Sequence, residues 1–576
     1  MRQTAAVPPV AGGTRAATTR SRAATAPAPG GPHGGRRRSA VVVGGGIAGL
    51  ASAALLARDG YDVELLEQRD ALGGRAGSWE RDGFRFDTGP SWYLMPEVFD
   101  HFFSLLGTSA AEQLDLRRLD PGYRVFFEDH PEPVDVRADL DANVATFEAL
   151  EPGAGEGLRA YLVSAREAYD LATRRFLYSS FESLTTLVRP DVLRRSRRLV
   201  ELLLRPLGAH VARSFADPRL RQILGYPAVF LGSSPDRAPS MYHLMSHLDL
   251  ADGVLYPQGG FTTLIEAVAR LAEREGATLR TGATVTAVTT AELPGRRRRG
   301  PRRDSAAGTR APAAGTRARV TGVRWRDAAG AEHLSEADVV VGAADLHHLE
   351  TELLPPALQT YPQRYWDRRD PGPGAVLVYL GVRGELPELA HHSLFFTADW
   401  EKNFAAIFGA ETRVPDPASA YVCTPSRTDA SVAPAGHENV FVLVPVPPDP
   451  GIGRGGVDGA GDPTVERVAD AAIDQLAEWA GVPDLRERIV LRRTVGPGDF
   501  AADLNAWSGG ALGPAHTLRQ SAFLRGRNAS RRVAGLYYAG SSTIPGVGLP
   551  MCLISAEIML KRLRGDRTTE PMAVPR

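Results

Sequence analysis

Ser39-Ala40-Val41-Val42-Val43 is a short apolar run of the kind that suits a buried strand, and it gives way to Gly44, Gly45 and Gly46 before the chain becomes apolar again at Ile47. This order predicts a strand, a tight turn and a helix beginning near Ile47. Asp62-Val63-Glu64-Leu65-Leu66-Glu67 reads as a second strand ending on a carboxylate. Ser78 to Glu80 and Phe84 to Phe86 flank Asp82-Gly83, which is the pattern of a hairpin. Thr263 to Glu275 reads as a helix, and Ala283 to Val288 and Val320 to Trp325 read as strands that pair. Ala337 to Ala343 is a buried strand ending in small residues. Leu536 to Gly540 is strand-like, and Leu549 to Arg562 is helical. Arg189 to Arg213 reads as one helical region in which Leu193, Val200, Leu203 and Leu207 fall near one stripe while Arg194, Arg198 and Arg205 lie elsewhere.

The first strand and helix enclose Gly44-x-Gly46-x-x-Gly49, a spacing that binds pyrophosphate. The first glycine permits the turn, the second lets backbone approach the phosphates, and the third allows close helix packing while helix N–H groups face the anion. Glu67 follows about 20 residues later, where a carboxylate accepts both ribose hydroxyls and repels a 2′-phosphate, so NADP is not expected. Gly73-Gly74-Arg75 brings backbone and a bidentate donor towards a diphosphate, which suits the long cofactor FAD. The two ends of the chain are expected to build one site.

With Gly83-Phe84-Arg85-Phe86-Asp87-Thr88-Gly89-Pro90-Ser91, Leu255-Tyr256-Pro257-Gln258-Gly259-Gly260-Phe261 and Pro545-Gly546-Val547-Gly548-Leu549-Pro550, the chain resembles the bacterial-type phytoene desaturases. These are FAD-dependent carotenoid desaturases of amine-oxidase-like fold, and the resemblance runs from about Ser39 to Leu563. It implies an α/β architecture: a Rossmann-like, doubly wound FAD-binding domain assembled from residues 39–104, 253–344 and 531–565. A mixed α+β substrate domain would comprise 105–252, with a helical membrane-contacting part, and 345–530. Residues 1–38 would be a disordered basic tail, 294–319 a disordered basic insertion and 566–576 a tail. FAD would be held by Gly44, Gly46, Gly49, Glu67, Gly74, Arg75, Gly89, Ser91, Val285, Gly540, Gly548 and Leu549. In the resembling family, backbone near Val285 flanks the adenine, and the helix after Gly548 points its N-terminus at the flavin. Ile544 stands at a position that is often polar in that family.

The 576 residues are too many for one core and predict two or three domains. Lys+Arg and Asp+Glu both number 67, so no net charge directs the chain to nucleic acid. Cys423 and Cys552 are the only cysteines, which excludes a disulfide framework beyond one bridge and points to a reducing cytoplasm. No run reaches the roughly 18 apolar residues that a spanning helix needs. The expected location is therefore cytoplasmic and peripherally membrane-associated, through the 189–213 region. The segment before Arg38 also shares the composition of an organelle transit peptide.

The resemblance implies hydride transfer from an allylic carbon of a carotenoid precursor to flavin N5, most simply phytoene towards lycopene, with dioxygen or a quinone as acceptor. Arg189 aligns with a suspected active-site arginine, although the acid that accompanies it in the family is Thr186 here. Asp249 matches an acidic position in related chains. Tyr226 to Gly232 and Met241 to Met245 are candidate linings of an apolar tunnel or plain core. His243 and His247 stand four apart without a third ligand, so metal is not expected. Two alternatives are a related carotenoid oxidoreductase or isomerase acting on a later intermediate, and a non-catalytic flavin-binding membrane protein.

Overall fold

The structure, a computed structural model, describes residues 37–182, 196–293 and 315–575. Arg189, almost all of the N-terminal tail and most of the 294–319 insertion lie outside the described residues. The apolar run at the start forms strand β1 (Ser39–Val43), the glycines form the turn, and helix α1 (Ile47–Arg58) follows. β1 is flanked in parallel by β2 (Asp62–Leu66) and by β4 (Val339–Gly342). β3 (Thr278–Arg280) and β5 (Leu536–Tyr538) complete a five-stranded parallel sheet ordered β5-β4-β1-β2-β3. Strands β1 and β4 are almost wholly apolar because both faces of the sheet are covered there. One face packs against α1, helix α2 (Phe261–Arg274) and the C-terminal helix α3 (Leu549–Arg564). The other packs against the strands Thr284–Glu292 and Ala318–Arg326, which pair antiparallel with Val285 opposite Trp325. Ala318 and Arg319 already stand in that ladder opposite Glu292 and Ala291, so the insertion is shorter at its C-terminal end than 294–319.

A second, seven-stranded sheet runs in the order Ile489–Val495, Gly374–Arg383, His437–Val446, Ala420–Cys423, His392–Phe396, Tyr123–Phe127 and His130–Val136. Its two faces bury separate apolar clusters. One is aliphatic and sits under the helix Pro463–Trp479; the other is rich in aromatics and faces the helices of residues 140–230. The hairpin Ser78–Arg81 and Phe84–Asp87 turns at Asp82 and Gly83, both at positive φ (52° and 81°), as a two-residue primed turn requires.

Within its described part, residues 196–213, the basic region departs from a single helix. Pro206 cannot continue the hydrogen-bond ladder, so Ser196–Leu204 and Leu207–Val211 are separate helices. Of the expected stripe, Val200 and Leu203 stand out at 52% and 42%, beside Leu204 at 67%, while Leu207 is buried, as are Leu199 and Leu202 outside the stripe. Leu193 and Arg194 lie outside the described residues. Among the described residues no helix is long and apolar enough to cross a membrane.

Candidate functional site

Tertiary folding brings the glycine turn, the second-strand carboxylate and the C-terminal segment together. Gly44 sits at φ +105° and its N–H donates to the Leu66 carbonyl at 2.8 Å. A Cβ on Gly49 would lie 1.9 Å from the Gly44 carbonyl oxygen, so this position is glycine for close packing of α1 on the turn. Gly45, which spacing rules pass over, is equally constrained: its Cβ would meet Leu72 at 2.7 Å and Glu67 at 2.9 Å. Gly46 is different. Its Cβ would meet nothing nearer than the Gly73 carbonyl oxygen at 3.9 Å, and Gly46 caps α1 without a side-chain bond, leaving first-turn N–H groups free.

Glu67 is buried and held by two backbone donors, Gly45 N–H at 2.6 Å to Oε2 and Arg69 N–H at 2.9 Å to Oε1. Gly73 N–H donates to the Gly45 carbonyl at 2.9 Å, which lays Gly73-Gly74 alongside the turn. Gly74, at φ +57°, would put a Cβ 3.3 Å from Gly46 Cα. Gly89 packs on Arg75, since its Cβ would lie 2.3 Å from the Arg75 carbonyl oxygen. Arg75 reaches Asp345 at 3.8 Å, while its buried Nε has no partner. At the strand entrance beside Glu67, Ala283 N–H donates to the Glu67 carbonyl at 2.8 Å and leads into Val285, which is buried.

The C-terminal segment closes this cradle. A Cβ on Gly540 (φ +119°) would lie 3.5 Å from Ala48 Cβ, so the loop after β5 rests on the first turn of α1. Gly548 (φ +115°) opens α3 with no side-chain cap and no acid in the first turn. A Cβ there would meet nothing nearer than 3.9 Å, and Leu549 begins the helix. Two uncapped helix N-termini, two glycines with empty space before them and an unpartnered buried arginine nitrogen together fit a dinucleotide such as FAD.

The loop before α3 is braced from below by residues that sequence reasoning missed. His516 Nε2 accepts the Val547 N–H at 3.1 Å, and Nδ1 lies 2.7 Å from Tyr242 Oη, which donates to Ser521 Oγ at 3.1 Å. Burial holds His516 well below its ordinary pKa, so the neutral ring carries its proton on Nδ1. Arg525, also buried, donates to the carbonyls of Thr543 (3.2 Å), Gln520 (3.2 Å), Pro514 (3.0 Å) and Ser541 (2.5 Å). Asp87 caps α2 through the N–H groups of Phe261 (2.9 Å) and Thr262 (3.3 Å), and burial raises its carboxyl to about 7.

Asp249 lies in the other half of the molecule. Its Oδ2 accepts from Tyr226 Oη at 2.5 Å and Tyr123 Oη at 3.2 Å, while its buried Oδ1 has no partner. Burial raises the carboxyl from 3.8 to about 7, with the two tyrosine hydroxyls pulling the other way. Trp92 stands over this group, with ring centroids 5.4 Å from Tyr123 and 5.4 Å from Phe230. It stacks on His392 at 4.4 Å with 10° between planes. Ser91, one residue earlier, is buried and shares a 2.6 Å hydrogen bond with Tyr421, whose hydroxyl also meets His392 Nδ1 at 2.8 Å. The Gly89 to Ser91 segment thus runs from the glycine cradle to the aromatic wall around Asp249.

His243 and His247 take separate partners: Ser240 O (2.8 Å) and Ser164 Oγ (2.8 Å) for the first, Asp252 (3.6 Å) for the second. A set that the sequence did not suggest is His391, His392 and Cys423, with ligand atoms within 4.8 Å of one another. Burial pushes His391 down to about 3, His392 well below its ordinary value and the Cys423 thiol up to about 12. All three are therefore neutral, and the two Nδ1 atoms bond to Thr428 and Tyr421.

The family of flavin containing amine oxidoreductases matches residues 47–558. The chain is 42% identical over 521 residues to a carotenoid 3,4-desaturase of Haloarcula japonica, covering 90% of this chain and 97% of that one. It is 35% identical over 519 residues to a zeta-carotene-forming phytoene desaturase of Myxococcus xanthus, covering 90% and 92%. Among solved structures, a putrescine oxidase bound to putrescine superimposes with a TM-score of 0.55 at 16% identity, over 92% of this chain and 98% of that one. The cyclohexylamine oxidase of Brevibacterium oxydans gives 0.54 at 13% identity, over 92% and 99%. These structural likenesses show the fold.

Proposed function

The chain belongs to the flavin containing amine oxidoreductase family as an FAD-dependent oxidoreductase of the carotenoid desaturase kind, and we propose that it desaturates phytoene towards lycopene. The parallel sheet, with strands from residues 39–66, 278–342 and 536–538, is read as the FAD-binding domain. The aromatic face of the seven-stranded sheet is read as the substrate side. The observation that carries the reading is Asp249, a buried carboxyl raised to about 7 with one free oxygen inside an aromatic wall.

Making a double bond removes a hydride and a proton from neighbouring carbons, and FAD supplies the hydride acceptor. The chain's own part is binding and proton transfer. Glu67 would hold the ribose hydroxyls, while the α1 N-terminus, Gly74 and Arg75 would hold the pyrophosphate. Gly548 and Leu549 would offer the α3 N-terminus to the flavin, and backbone near Val285 would hold the adenine. Asp249 Oδ1 receives the proton, and the two tyrosine hydroxyls on Oδ2 fix its direction. Trp92, Tyr226 and Phe230 exclude water and supply apolar surface for a polyisoprenoid. Arg189 remains a second candidate. The electron acceptor is dioxygen or a quinone, and the exposed Val200, Leu203 and Leu204 rest on the membrane from which the substrate is drawn.

The 42% identity to a 3,4-desaturase favours a second reading, in which the substrate is a later, already conjugated carotenoid. Anaerobic incubation of holoenzyme with phytoene, and separately with lycopene, tests both. Bleaching of flavin absorbance together with a new polyene band from phytoene supports the first reading. Reaction with lycopene alone replaces it with the second, and reaction with neither refutes both.

A further inference from the structure

One cleft lies apart from the glycine cradle and from Asp249. It has a volume of about 450 Å³ and is walled by Arg237, Arg368, Arg369 and Arg519, with Asp370 as its carboxylate among the described residues. Asp370 is already committed: it pairs with Arg237, whose guanidinium lies 5.5 Å over the Phe408 ring, and it accepts the Gly372 N–H at 2.9 Å. Arg369 stacks 4.4 Å over Tyr365 and donates to the Arg519 carbonyl. The guanidinium groups of Arg368 and Arg519 have neither a hydrogen bond nor an ion pair among the described residues. One of the four positive charges is thus neutralised and three are left without a carboxylate in the walls of the cleft. The frame that holds them is tied on both sides. Asp370 N–H donates to Gln520 Oε1 at 2.7 Å, and Gln520 Nε2 returns a bond to the Asp370 carbonyl at 2.9 Å.

Guanidinium groups gathered in the walls of one cleft, two of them with unused donors, match the oxygens of a phosphate better than any neutral ligand. The surroundings are equally specific. Leu518, Phe523 and Leu524 are exposed on the same loop as Arg519, and Val200, Leu203 and Leu204 are exposed on the helix Ser196–Leu204. The turn that follows Arg237 ties these two elements together: Ser240 Oγ donates to the Leu202 carbonyl at 3.0 Å, and Tyr242 Oη donates to Ser521 Oγ at 3.1 Å. Apolar side chains therefore flank the arginine cleft.

We propose that this cleft is a phosphate-binding site, taking the phosphate of an anionic lipid headgroup or a free diphosphate. The inference does not depend on which carotenoid is the substrate, and its test involves no turnover. Full-length holoenzyme and an Arg368→Gln/Arg519→Gln variant are compared, with flavin absorbance confirming that both are folded. The probes are vesicles of phosphatidylcholine with and without phosphatidylglycerol, read by co-sedimentation at low salt, and inorganic diphosphate, read by calorimetry. A headgroup site predicts preference for phosphatidylglycerol vesicles, weakened about 30-fold by loss of the two charges. A free-ligand site predicts saturable diphosphate binding that the variant loses while vesicle binding is unchanged. Either result supports the site. Equal behaviour of variant and wild type towards both probes, or an equal loss on removing Arg270 and Arg326, which lie outside the cleft, would overturn it.

Discussion

Replacing Asp249 by asparagine keeps the shape of the side chain and an oxygen for the Tyr226 and Tyr123 hydroxyls, but removes the proton acceptor. General bases typically contribute about 10²–10⁴-fold, so kcat should fall by at least about 100-fold with FAD still bound. The pH dependence has a definite sign. A base must be ionised to act, so wild-type turnover should rise with pH through about 7 and level off above it, while the residual rate of the variant should not show that rise. Stability should move the opposite way. The folded carboxyl lies at about 7 and the ordinary value is 3.8, so its contribution is fully present below about pH 4 and is lost as pH rises through 7. A difference of that size corresponds to at most about 4 kcal/mol. The asparagine amide does not ionise, so Asp249→Asn should be less active yet more stable than wild type at pH 8, with the two converging near pH 4. Steady-state kinetics across pH 5 to 9 and urea unfolding at pH 4 and pH 8 measure both effects. A variant within threefold of wild-type kcat, with the same pH profile, would refute the assignment of Asp249 as the base.

Gly46→Val should fold, because nothing stands within 3.9 Å of a Cβ there, yet purify without yellow colour because the side chain fills the cradle; a fully flavinylated variant would contradict the site. Gly49→Ala should instead lose stability by about 1–3 kcal/mol or fail to fold, since its methyl would lie 1.9 Å from a backbone oxygen. Asp87→Ala should cost about 0.5–2 kcal/mol in urea unfolding by uncapping α2. Leu203→Glu combined with Leu204→Glu should shift the protein from the membrane pellet to the supernatant on fractionation, and unchanged sedimentation would exclude this face as the anchor.

The local parts of the nucleotide site are legible in the order of the amino acids. The turn at Gly44, the start of α1 at Ile47, the placement of Glu67 at the end of β2 and the hairpin at Asp82-Gly83 are each set by side chains a few residues apart, where glycine freedom and apolar runs decide the conformation. That Leu549 opens a helix is legible in the same way. Residues 196–213 show the limit of such reading, because Pro206 breaks the helix and Leu199, outside the expected stripe, turns inward against residues 171 and 241. Long-range packing sets Gly540 on Ala48, His516 against Val547, and Tyr123 and Tyr226 on Asp249. These contacts join residues 23 to 492 positions apart in the chain. No periodicity or spacing rule spans such distances. The raised Asp249 carboxyl is likewise a property of desolvation by a packed aromatic wall, which exists only once the seven-stranded sheet and the helices around it have closed.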